Sequence, residues 1–239
     1  MINVLDRTMP VNEHVLSDMK PDLALKRLQQ GNDDFVKQRK KNKPTKRDIN
    51  AFVKNGADGQ HPFAIVLSCV DSRIPTEIIF DQHIGGIFNA RIAGNFVNKD
   101  ILGSMEFAAS YVKLIVVLGH TACGAVAAAC SEVHPIPTKK KAVTTPEVEK
   151  TTPPSPPPSP GNLIRMVNKL PPAVAATPVD IAKIRKAGKQ SKYRKDFINE
   201  VAKTNVLHTI KNMLTRSPFL KERIVAGDLM VRGAIYDVK

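Results

Sequence analysis

Three short runs rich in branched aliphatic residues constrain this chain more than anything else in it. PFAIVLSC (62–69), GIFNARI (86–92) and KLIVVLG (113–119) have strand length and end at turn-forming or polar residues. Helical segments lie between and after them: PTEIIFDQ (75–82), ILGSMEFAASYV (101–112) and a small-residue stretch from about Ala122 to Glu132. Strand, helix, strand, helix, strand is the order of a parallel sheet with right-handed crossovers. The expected class is therefore α/β, a central, mostly parallel β-sheet flanked by helices. Aromatic residues make up only 5% of the 239 positions and Trp is absent, so aliphatic side chains must fill the interior. Parallel strands covered on both faces are built in that way.

The flanking sequence completes a single domain over residues 1–239. DLALKRLQQGNDDFVKQ (22–38) places Leu25, Leu28, Phe35 and Val36 on a helical spacing, which predicts an amphipathic helix weakened at Gly31 within an N-terminal helical arm, 1–60. Residues 192–215 read as a long helix, and LMVRGAIYDV (229–238) as a last strand able to pair at a sheet edge. A Pro-rich insertion over about 135–160 holds nine of the chain's 18 prolines, six of them in PPSPPPSP (153–160). Neither a helix interior nor a sheet ladder tolerates that density, so a solvated loop is expected there.

Membrane, export and nucleic-acid roles are disfavoured one by one. Leu114 to Ser131 is 18 residues without Lys, Arg, Asp or Glu, but Gly119-His120-Thr121-Ala122-Cys123-Gly124 breaks it into strand, turn and helix. MINVLDRTMPVNEHV shows no basic n-region followed by an apolar h-region. Three cysteines cannot form a disulfide framework and suit a reducing compartment, here expected to be the cytoplasm. The net charge of +14 is uneven, at +4 for residues 1–60, −2 for 61–135 and +12 for 136–239. The segment richest in Cys, His and Gly is thus not the basic one, and no interleaved aromatics or finger spacing points to nucleic acid.

That segment carries the chemistry. Cys69 closes the first strand, while His120 and Cys123 follow the third. The C-terminal ends of neighbouring parallel strands face one crevice, so these three side chains can converge on one soft divalent metal, with a fourth position left for water. H-x-x-C spacing is common, and a buried thiol beside a structural histidine satisfies it equally well. His61 and His83 are candidate proton carriers, and Cys130 reads as a small buried residue.

Three ordered motifs narrow the choice. Cys69-Val70-Asp71-Ser72-Arg73, then Arg91-Ile92-Ala93-Gly94-Asn95, then Gly119-His120-Thr121-Ala122-Cys123-Gly124 closely resemble the β-class carbonic anhydrases, and the resemblance runs from LQQGNDDF to GAIYDV outside the proline-rich segment. It implies one Zn2+ per chain on Cys69, His120 and Cys123, and a zinc-held hydroxide that attacks CO2 to give bicarbonate and a proton. Asp71 and Arg73 would form the orienting dyad. Gln60, Phe88, Ala93, Phe107 and Gly124 would meet substrate, Gln60 and Phe88 with plant-type identities, whereas Ala93 replaces a larger aliphatic residue and Phe107 a tyrosine. The implied assembly is a homodimer or dimer of dimers whose pocket is completed across the interface. Hydrolysis of carbonyl sulfide or carbon disulfide is the rival chemistry, and a zinc-stabilised binding protein is the rival class.

Overall fold

The computed structural model describes residues 11–41, 59–135, 167–187 and 191–239, without the side chains of Ile181 and Arg185. The proline-rich insertion, beyond Pro135, lies outside the described residues. Four strands, β1 (Ala64–Ser68), β2 (Ile87–Arg91), β3 (Leu114–His120) and β4 (Met230–Tyr236), form one all-parallel sheet in the order β2-β1-β3-β4. The last strand pairs at the edge, as its position in the sequence suggested. Every residue of β1 and β3 is buried, which is why both read as uninterrupted apolar runs.

Alternate residues of the central strands feed two cores. Ala64, Val66, Leu114, Val116 and Leu118 meet α1 (Glu13–Ser17), α2 (Pro21–Lys40) and α3 (Thr76–Ile79) through Val15, Ala24, Leu28 and Ile79. Ile65, Leu67, Ile115 and Val117 meet α4 (Lys99–Ala109), α8 (Lys192–Arg216) and α9 (Pro218–Val225) through Leu102, Met105, Val206, Met213 and Leu220. A third core unites Cys69 and Cys123 with α5 (Gly124–Val133), α6 (Pro171–Ala176), α7 (Ile181–Lys186) and the N-terminal half of α8. Among the described residues no helix is long and apolar enough to cross a membrane.

α2 runs through Gly31 without a break, so the helix is not interrupted by the propensity cost of the glycine. Its missing side chain is a packing requirement: a Cβ there would lie 1.8 Å from the Phe80 carbonyl oxygen. Neighbouring Asn32 donates from Nδ2 to the Ile79 carbonyl at 3.0 Å, tying helix and loop together. Gly31→Ala gains about 1 kcal/mol of helix propensity but forces backbone apart. We expect a net loss of about 2–3 kcal/mol, read by denaturant unfolding.

The long helix α8 docks on β3 and β4 through two further glycines. A Cβ on Gly119 would sit 2.7 Å from Val206 Cγ2, and one on Gly233 2.7 Å from Val206 Cγ1. Val206 therefore rests in a gap between the two strands and fixes the helix against them.

Candidate metal centre

Strand pairing sets the first donors level. Ser68 is in register with Leu118, so Cys69, one residue past β1, emerges at the height where β3 is about to end in His120. The chain then turns through Thr121 and Ala122, whose φ of +54° is left-handed, and presents Cys123 as the N-cap of α5. Cys69 Sγ, Cys123 Sγ and one His120 ring nitrogen all lie within 4.8 Å of one another. All three residues are buried, at 4%, 1% and 1% exposure.

The donor atoms are poised for a cation. His120 Nδ1 is 3.0 Å from the Thr121 carbonyl, which can only accept, so Nδ1 carries the proton and Nε2 presents a lone pair. That Nε2 is buried and has no hydrogen-bond partner. The Cys69 thiol is drawn down chiefly by the Cys123 side chain and further by the Gly94 and Asp71 amides, against the opposing effect of burial. The Gly94 N–H lies 3.4 Å from its sulfur. Cys123 is pushed up by the same thiol pair and by burial. Two buried sulfurs within 4.8 Å of an unpartnered imidazole nitrogen fit a soft tetrahedral divalent ion such as zinc, whose binding would displace thiol protons.

Beside the donors, Arg73 grips Asp71 at both oxygens. Arg73 Nε donates to Oδ1 at 2.9 Å and Nη2 to Oδ2 at 2.7 Å, and the Arg73 amide adds a bond to Oδ1 at 3.0 Å. These bonds hold the Asp71 carboxyl well below the usual carboxylate range. Asp71 Oδ2 stands 4.0 Å from His120 Nε2, and Arg73 Nη2 also reaches the Ala122 carbonyl at 3.3 Å. Arg91, to which the sequence assigned no role, donates to the carbonyls of Cys69 at 3.0 Å and of Asp71 at 2.7 Å. It thereby pins the loop that carries both side chains. Its place at the head of the second motif, Arg91-Ile92-Ala93-Gly94-Asn95, was the sequence signal for it.

The remaining candidates are distributed around this centre. Gly124 is the exposed first residue of α5, next to Cys123, and Ala93 is half-buried beside Gly94. Phe88 on β2 packs its ring 6.3 Å from that of Phe107 on α4, and Phe107 stacks on Tyr111 at 5.3 Å. Phe107 and Tyr111 are 59% and 53% exposed, so neither is a core residue of this chain. Gln60 is exposed before β1. His61 and His83 line one small cavity with Arg27 and Gln82. Cys130 is fully buried on α5, and burial pushes its thiol up to about 12.

Fold and donor set define the class as a parallel α/β protein with three soft donors at the strand ends that could hold a metal ion, flanked by an Arg-paired carboxylate. The family model for carbonic anhydrase matches residues 64–239. Carbonic anhydrase 2 of Mycobacterium tuberculosis is 31% identical over 226 residues, covering 93% of this chain and 91% of its own. The carbonic anhydrase of Mycolicibacterium smegmatis is 39% identical over 118 residues, 48% of this chain and 56% of its own. Among solved structures, the β-carbonic anhydrase CafA of Aspergillus fumigatus superposes with a TM-score of 0.57 at 26% identity, covering 80% of this chain and 77% of its own. The chain belongs to the β-class carbonic anhydrase family, whose members are zinc-dependent enzymes of CO2 hydration.

Proposed function

We propose that this chain interconverts CO2 and bicarbonate with one zinc ion per chain held by Cys69, His120 and Cys123, and with Asp71 and Arg73 as its catalytic dyad. The observation that carries the reading is the buried, unpartnered His120 Nε2 facing two thiols, with an ionised carboxylate 4.0 Å away. Zinc in such a site lowers the pKa of water from its bulk value to about 7 and so supplies a nucleophile at neutral pH. The chain's own groups do the rest. Asp71, kept ionised by Arg73, is an acceptor only, and a hydrogen bond to Oδ2 orients the attacking oxygen. Arg73 holds the carboxylate plane fixed through its bidentate grip. The Gly94 N–H on Cys69 Sγ withdraws charge from that sulfur, offsetting the electron donation of two thiolates that would otherwise make the water less acidic.

Gln60, Phe88, Ala93, Phe107 and Gly124 are the proposed substrate contacts. The exposed Phe107–Tyr111 face beside Phe88 supports a homodimer, or a dimer of dimers, in which one protomer completes its partner's pocket. Three buried, unpaired thiols suit the cytoplasm.

Stopped-flow CO2 hydration, run with and without a zinc chelator, tests the reading. We expect activity in step with one zinc per chain, lost on chelation and restored by added zinc. A rate equal to buffer alone in the zinc-loaded protein would reject it.

A further inference from the structure

We infer that Asn199 and Asn205 of α8 are positioning residues of the metal centre, their side-chain amides holding from outside the two turns that shape its sulfur donors. The inference rests on the reading that Cys69, His120 and Cys123 hold zinc. Both turns contain backbone in the left-handed region, a conformation that a glycine takes freely but that costs free energy at Ala122. Ala122 has φ +54° and immediately precedes Cys123; Gly94 has φ +82°, and its N–H meets Cys69 Sγ at 3.4 Å.

Each turn is bonded to the same helix. The Ala122 amide donates to Asn199 Oδ1 at 2.9 Å, across 77 positions of sequence. Asn205 Nδ2 donates to the Gly94 carbonyl at 2.8 Å, across 111 positions, from a side chain only 1% exposed. The Ala122 carbonyl is taken by Arg73 Nη2 at 3.3 Å, so this alanine is held at one side by α8 and at the other by the dyad. A left-handed alanine persists only where its surroundings over-determine it.

The helix can act as a template because it cannot slide. Val206, next to Asn205, occupies the gap left by Gly119 and Gly233, where a Cβ on either would come within 2.7 Å of its methyls. Gly119 precedes His120, so the helix that bonds both turns is itself seated against the strand that carries the histidine. Neither asparagine touches the reacting atoms. Their effect passes through backbone to Cys123 Sγ and to the Gly94 N–H that meets Cys69 Sγ.

The two amides have opposite hydrogen-bond roles, and this provides the test. Asn199 accepts, so Asn199→Asp retains its bond while Asn199→Ala loses it. Asn205 donates, so both Asn205→Ala and Asn205→Asp lose theirs. The measurements are the rate of zinc transfer to a chelator and the visible spectrum of the Co(II)-substituted protein, with kcat and KM beside them. We expect Asn199→Ala and Asn205→Ala to release zinc on the order of 10–100-fold faster, as changes behind metal ligands do, with a shifted cobalt spectrum and a fall in kcat at nearly constant KM. Asn199→Asp should recover to within about threefold of wild type. Should Asn205→Ala not fold, the Asn199 pair decides alone. Alanine variants that match wild type in zinc release and cobalt spectrum, even with a lowered Tm, would overturn the inference. A wild-type chain that takes up no zinc would overturn the proposed function as well.

Discussion

Cys123→Ser will strip the chain of zinc and take CO2 hydration down to the uncatalysed background. Cys123 is 1% exposed at the start of α5, and its sulfur completes a triangle with Cys69 and His120. A serine hydroxyl is a hard donor that does not deprotonate near neutral pH, so it replaces a soft thiolate poorly. Two protein donors are then left, in a site whose affinity depends on closing three positions at once. Cys130→Ser is the matched control. That thiol sits seven residues further along the same helix, pushed up to about 12 by burial, and should cost packing stability while leaving the metal in place. Elemental analysis separates the two: one zinc per chain retained in Cys123→Ser would remove Cys123 from the donor set.

Asp71→Asn will keep zinc and lower hydration by a factor on the order of 10–100. The substitution preserves size but replaces one acceptor oxygen by a donor that faces Arg73 or the reacting oxygen, and removes the charge. Its pH behaviour is informative. The folded-state carboxyl is depressed, chiefly by the Arg73 side-chain hydrogen bonds, so the stability it contributes is present above the unfolded carboxylate pKa and is lost only as pH falls through the lower, folded value. Between about pH 5 and about pH 8 Asp71 therefore does not titrate, and the ratio of wild-type to Asp71→Asn rates should stay flat while both follow other groups. A ratio that collapses towards one at the acid end of that window would show that the carboxylate is not held ionised by Arg73.

Much of this was legible in the sequence because burial and strand order leave direct marks. β1 and β3 are buried on both faces and appear as unbroken aliphatic runs, and convergence of strand ends accounts for Cys69, His120 and Cys123 meeting at all. The short helices α6, α7 and α9 were not legible. Two of them begin at Pro171 and Pro218, where proline opens a helix, although the same residue read along a sequence marks an interruption. Gly31 was legible in part: propensity marks the cost of a glycine there, while only the close approach of Phe80 explains why the residue is needed. Arg91, Asn199 and Asn205 escaped because their partners are backbone groups 20 to 111 positions away, and a backbone amide or carbonyl leaves no trace in residue identity. Asparagines inside a long helix, where they are poor formers, were the one available hint.

The reach of those contacts also bears on how the chain acquires its native state. Donors at the ends of β1 and β3, fastened by a helix that arrives near residue 192, come together only after the crossovers have packed and the C-terminal third has been made. Non-local pairing of this kind is slow, because loop entropy is spent before any contact repays it. We therefore expect zinc to bind a pocket that is already assembled rather than to seed collapse. If the site forms only after the transition state, zinc bound to it would lower the unfolding rate and leave the folding rate almost untouched. In refolding experiments added zinc should lengthen the lifetime of the native chain without shortening the time needed to reach it.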